Sequence, residues 1–431
     1  MKKNILLLVI LLSTNVFPQD IYQVNKNGTA NFSSIAEVNS ANLMDGDIVS
    51  FQSGQTFSDA VLNCKRGVTY NTYGGSEKAI LGVSSSSNLN KSIIIAKDYV
   101  TLNNLKIVGY KNARTIIELA ANYATISDCE ILGGENAHEI GTIGIKQSNK
   151  DKGRGHKILR NTIHDMGFGI YIERPYNYEI GFNEMYNFYL LNGSMNYGGT
   201  AMRGETMGES DTWDADYTFH VHHNEIYFWE YTAMAVGFSN MLIEYNEFHS
   251  NLDERIYRGG VKHGTLGKMY DIGPSSDALG GTGLVFRYNY VHNIKRYGRS
   301  GHTYGRQTES NVKDKKFNTL STNNGLETSV YEYSVNETYV GNLINYYGNH
   351  FGDQKNDMTG ESNGEGPDDL ISGQGYANYW IHNNIFANID FKLFGRVAKS
   401  KKVMRDDLGS FVINNTFLNC GNSYLANATL F

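Results

Sequence analysis

Apolar and polar residues alternate along this chain in short runs that keep returning to one frame. In HKILRNTI, YEIGFNEM, FHVHHNEI, MLIEYNEF and LVFRYNYV an Asn has an apolar residue three positions before it and another two after it. These are Asn161, Asn183, Asn224, Asn246 and Asn289; looser copies fall at Asn342, Asn384 and Asn415. VTLNNLKI and ATISDCEI have the same shape, with Leu105 and Cys129 where the Asn would stand. Runs this short with a period of two predict strands rather than helices.

Asn161 to Asn183 and Asn224 to Asn246 are both intervals of 22 residues. A repeat of that length built from short strands predicts a solenoid, in which no coil has a core of its own and stacking supplies one. At the usual strand spacing of ~4.8 Å the inward Ile, Val and Leu form a continuous column. An Asn at the same turn of every coil can hydrogen-bond to its copies above and below, satisfying turn amides that would otherwise be buried unpaired. The longer intervals read as the same unit interrupted by loops. From Gly46 to Cys420 the pattern resembles the right-handed parallel β-helix of pectate-lyase-like carbohydrate-active enzymes. The expected fold class is therefore all-β, a right-handed parallel β-helix in a single domain over 20–431.

The ends fit that picture. MKKNILLLVILLSTNVFPQD has the charged start and short apolar run of a secretory leader over 1–19, too short to span a bilayer. NFSSIAEVNSANL (31–43) predicts a short amphipathic helix with Phe32, Ile35 and Ala36 on one face, covering the open end of the core. DGDIVSFQSGQTF follows it and resembles the entry into a first coil. The chain stops at Phe431 with no recognisable capping segment, which leaves either a poorly self-capped tail or a missing C-terminal part.

The stretch FHVHHNEIYF (219–228) tests the pattern against a competing chemistry. As a coil it places Val221 and Ile226 inward, Asn224 in the turn, and His220 and His222 on the outer face. As a zinc site it lacks a third ligand nearby. It reads as one unit of the repeat.

Composition adds three points. Thirty Tyr and 46 Gly against four Pro suit many strands joined by tight turns. Three cysteines, Cys64, Cys129 and Cys420, make neither a disulfide framework nor a metal knuckle. The net charge of −6 hides an asymmetry: Asn251 to Lys316 holds twelve Lys or Arg against six Asp or Glu. A basic tract inside an acidic secreted chain points to an anionic partner, an acidic or sulfated polysaccharide rather than nucleic acid or membrane.

Enzymes of the resembled fold commonly bind an extended sugar chain along one outer strand face, walled by loops. Insertions at about 204–216, 251–281 and 295–336 supply such walls. Aligning the coils by a fixed offset, with extra residues placed after the strand, sets Lys146 and Arg203 level with Glu173 and Val236 in the coil after. Hydrolysis needs two carboxyls ~5–10 Å apart, and Glu173 with Glu205 on adjacent coils is the best pair. Asp271 falls ~14 Å further along the axis. Elimination from a uronate needs a base and cations; Lys146, Arg203, Arg258, Lys262 and His263 are the candidates. Tyr171 and Trp213 suit sugar rings, and Arg299, His302 and Arg306 suit sulfate or carboxylate. No cofactor is required. Calcium would need the acidic tract DQKNDMTGESNGEGPDD (353–369), which lacks EF-hand spacing and reads as a solvated loop. The expectation is an endo-acting glycoside hydrolase on an anionic polymer such as sulfated fucan. The alternatives are a lyase or C5-epimerase on a uronate polymer, and a non-catalytic adhesin.

Overall fold

The computed structural model describes residues 19–28, 30–82, 92–147, 153–173, 175–191, 199–205, 219–236, 241–250, 268–272, 284–293, 295–296, 301–305, 330–333, 337–340, 342–347, 350–356, 369–375, 377–389, 392–396, 411–420 and 429–430. The expected leader, apart from Gln19, lies outside them. Among the described residues no helix is long and apolar enough to cross a membrane.

The chain climbs through three parallel sheets of 14, 13 and 11 strands, visiting each in turn. One coil runs Tyr178–Gly181, Glu184–Phe188, Thr200–Glu205; the next runs Phe219–His222, Glu225–Trp229, Thr232–Val236. Apolar residues stack on one another in the interior. In the 14-stranded sheet Ile126, Ile158, Ile180, Val221, Ile243 and Phe286 follow one another in register. All six are essentially without solvent exposure, and each such side chain removed from water stabilises the stack by about 1.5–3 kcal/mol.

The Asn ladder connects the 14- and 13-stranded sheets. Asn224 Nδ2 donates to Ile180 O and to Asn246 Oδ1, both at 2.9 Å, while its Oδ1 accepts the Asn183 N–H at 2.9 Å. The same bonding links Asn161 to Asn183 and Asn246 to Asn289, and joins Asn384 to Asn415. Cys129 ends the ladder, its N–H donating to Asn161 Oδ1 at 2.9 Å. Asn342 does not belong to it. That residue begins the strand Asn342–Tyr347 and pairs with Ala377, well ahead of the turn that Asn384 occupies.

Before each ladder Asn the backbone turns left-handed on an ordinary residue: Arg160, Phe182, His223, Tyr245 and Tyr288 have φ of 52–58°. Non-glycine residues rarely adopt this conformation; here the ladder bonds on the next residue hold it in place. The exposed rings at these corners stack along the axis, with centroids 4.8 Å apart for Phe182 and His223 and 5.0 Å for His223 and Tyr245.

The N-terminal helix is shorter than the sequence suggests, Ile35–Ser40, and buries Ile35 and Val38 while Ala36 faces solvent. The Ser34 hydroxyl caps it by accepting the Glu37 N–H at 3.2 Å. The helix lies along Leu62–Asn63, the last strand of the 11-stranded sheet. Asn39 there donates to Val61 O at 2.8 Å and accepts the Asn63 N–H at 2.9 Å. One side chain thus satisfies two groups of an otherwise open strand edge.

Two proposed insertions carry structure of their own. Lys268–Ile272, inside 251–281, pairs with Thr232–Val236, and Gly301–Gly305, inside 295–336, pairs with Lys268–Ile272. The 11-stranded sheet must continue through every coil, so part of each insertion is strand. The acidic tract divides similarly: its first residues close the strand His350–Asn356 and Asp369 opens another.

Candidate functional site

The outer face of the 11-stranded sheet holds the expected residues in a corrected order. Strand register aligns Glu118, Lys146, Tyr171, Arg203, Ala235, Asp271, His302 and Ser372 in one column. Tyr171, not Glu173, stands between Lys146 and Arg203, and Ala235, not Val236, follows Arg203. The fixed offset fails because added residues precede the strand as well as follow it. The one-turn helix Ala137–Ile140, for instance, lies ahead of Lys146.

Lys146 Nζ sits 5.9 Å from the centre of the Tyr171 ring, and the Arg203 guanidinium carbon 5.7 Å from it. Arg203 also lies 5.9 Å from the Phe168 ring. Both cations are thus within the range of attraction to a ring face, and the phenol is bracketed by positive charge along the axis. Phe168 is buried, whereas Lys146, Tyr171 and Arg203 are part-exposed.

Two residues further along these strands Glu173 pairs directly with Glu205. The two residues therefore belong to adjacent coils, two register positions along from the cation–tyrosine column rather than within it. Asp271 stands three strands from Tyr171, and His302 one strand beyond. Trp213, Arg258, Lys262, His263, Arg299 and Arg306 lie outside the described residues.

A second cluster, on the outer face of the 14-stranded sheet, arises from FHVHHNEIYF. His220 and His222 do face outward, with ring centroids 4.3 Å apart. Each meets a carboxylate of a neighbouring coil: His220 Nε2 lies 3.1 Å from Glu244 Oε1, and His222 Nε2 3.3 Å from Glu179 Oε1. Arg287 donates to Glu244 at 2.6 Å, and Lys157 Nζ lies 3.0 Å from Glu179. Burial, and then the neighbouring His220, push the His222 imidazole below its ordinary value. For Glu179, partial burial opposes ionisation, but the Lys157 and His222 contacts outweigh it and the carboxyl is drawn down. The Lys157–Glu179 and Arg287–Glu244 contacts are ion pairs, with the two imidazoles packed beside them; among the described residues no group of His, Cys, Asp and Glu is arranged to hold a metal.

The 13-stranded sheet carries a third outward array. His164, Tyr186, Tyr227, His249 and His292 stack ring on ring at 4.8–5.1 Å. Tyr227 donates to Glu184 at 2.7 Å, and His292 Nε2 lies 2.8 Å from Glu247. Partial burial and Glu184 push the Tyr227 phenol up. The sequence motif carried this array in plain view, three residues past each ladder Asn, but only register shows that the rings meet.

No protein-family model matches the chain, and no curated protein matches it. Among solved structures, a GH136 lacto-N-biosidase from Eubacterium ramulus is 13% identical with a TM-score of 0.45, covering 93% of this chain and 68% of the other. An alginate lyase from Paenibacillus sp. str. FPU-7 is 13% identical with a TM-score of 0.38, covering 91% and 96%. A family 28 exopolygalacturonase from Yersinia enterocolitica is 11% identical with a TM-score of 0.34, covering 90% and 74%. At such identities and scores the likeness carries no argument about site or reaction.

Proposed function

We propose that this protein is a secreted or periplasmic enzyme that cleaves an anionic polysaccharide laid along the outer face of the 11-stranded sheet. The observation that supports this reading is the Lys146–Tyr171–Arg203 column running beside the directly paired Glu173 and Glu205. Two cations flanking an aromatic ring suit a sugar chain bearing carboxylate or sulfate groups. Two carboxyls on adjacent coils suit hydrolysis, one protonated to serve the leaving oxygen and one ionised. Their mutual repulsion favours such a division of roles. The substrate class is an acidic or sulfated polymer, sulfated fucan, alginate-like and pectin-like chains among them.

The register itself favours one second reading. A phenol held between two cations is also what elimination from a uronate asks for: cations to neutralise the carboxylate and a group to move the proton. One incubation separates the two. The purified protein is offered a panel of acidic and sulfated polysaccharides, and reducing ends are followed together with ultraviolet absorbance from unsaturated uronates. Reducing ends alone support hydrolysis; both signals rising together support elimination. No release from any polymer, with retained binding, would leave a binding module in place of an enzyme.

A further inference from the structure

Every member of the outer column from Glu118 to Ser372 carries a polar or charged side chain except one. Ala235 stands between Arg203 on one strand and Asp271 on the next. Lys146, Tyr171, Arg203 and Ala235 are each part-exposed, and the residues on either side of each are buried. The column is therefore the outer surface of the sheet here, and Ala235 is its low point. The flanking strands are two strand spacings apart, ~9.6 Å. Glu205 lies two residues along from Arg203, diagonal to the gap.

We propose that Ala235 forms the floor of a sugar subsite, one coil beyond the Glu173–Glu205 pair. This inference rests on the reading of the face as a polysaccharide groove. A pyranose ring is about as wide as the strand spacing, so a chain running along the axis presents successive rings to successive coils. A side chain the size of its neighbours at 235 would lift the ring off the sheet; a methyl group lets it settle beside Arg203. The ring placed there carries a carboxylate or sulfate directed at the guanidinium, whose planar fork suits either group. Ala235 would thus select for an anionic ring at that position by leaving room for it, and Arg203 by charge.

Filling the gap tests this. Ala235→Phe and Ala235→Gln are made, and each is melted beside the parent to show that the fold is intact. KM for the cleaved polymer should rise about tenfold or more in both variants, with kcat changing less. Arg203→Ala is assayed in parallel. Unchanged KM in both folded Ala235 variants, while Arg203→Ala loses turnover, would overturn the subsite and leave the groove standing. If Arg203→Ala also leaves turnover unchanged, the groove reading falls and takes the subsite with it.

Discussion

The imidazole of His222 occupies the space that a side chain on Gly181, its register partner in the coil below, would fill. A Cβ on Gly181 would overlap the ring at Cε1, and His222 is itself held by Glu179 and nearly buried. Gly181→Ala should therefore cost about 1–3 kcal/mol, the usual range for overpacking. The double variant Gly181→Ala/His222→Ala should recover most of that loss relative to His222→Ala alone. Urea unfolding of the four proteins measures the coupling. Additive costs would mean that the glycine serves some other need.

Asn224 makes four hydrogen bonds through one buried amide, two as donor and two as acceptor. Asn224→Leu keeps the branched outline of the side chain but leaves Ile180 O and the Asn183 N–H without that partner, at a cost of about 3 kcal/mol or more. Asn415 is the last Asn of the described ladder and is part-exposed. Asn415→Leu should cost about 1 kcal/mol, because water can serve the groups it abandons. Chemical denaturation of both variants checks the contrast.

His156 gives the fold a dependence on pH. Burial pushes its imidazole down to about 4, and its Nδ1 accepts the Ala124 N–H at 3.0 Å. An unfolded histidine takes up its proton near pH 6.5. Between pH 6.5 and 4 the unfolded chain therefore binds more protons than the folded one, and stability falls as pH falls through that window. The full loss is about 3 kcal/mol, reached near pH 4. Urea midpoints of the parent and of His156→Gln across pH 4–7 isolate this contribution. The gap in stability between the two should shrink towards acid by that amount.

How far the chain could be read beforehand depended on what each residue answers to. Asn161 through Asn289 were legible because a buried amide and its flanking apolar residues recur by sequence alone. Asn342 was misread because the same letters can begin a strand. The order Lys146, Tyr171, Arg203 was not legible, since it depends on where extra residues enter each coil and only pairing reveals that. The partners of His220 and His222 escaped for a related reason. Glu179 and Glu244 lie 43 and 24 residues away from their respective histidines, and only stacking makes them neighbours.

The pairing of Glu173 with Glu205 makes a stereochemical prediction. Directly paired residues on adjacent parallel strands begin ~4.8 Å apart, close to the ~5–5.5 Å between the carboxyls of retaining glycosidases and short of the ~6.5–9.5 Å that inverting enzymes need for a water. If this pair performs hydrolysis, the anomeric configuration of the first-formed product should be retained, as read by proton NMR within the first turnovers. Glu173→Gln and Glu205→Gln should each lower kcat by about a hundredfold or more with little change in KM. Inversion would instead point to a wider pair, for which Glu205 and Asp271 are the register-level candidates, on strands separated by Thr232–Val236. Asp271→Asn would then lose turnover while Glu173→Gln kept it.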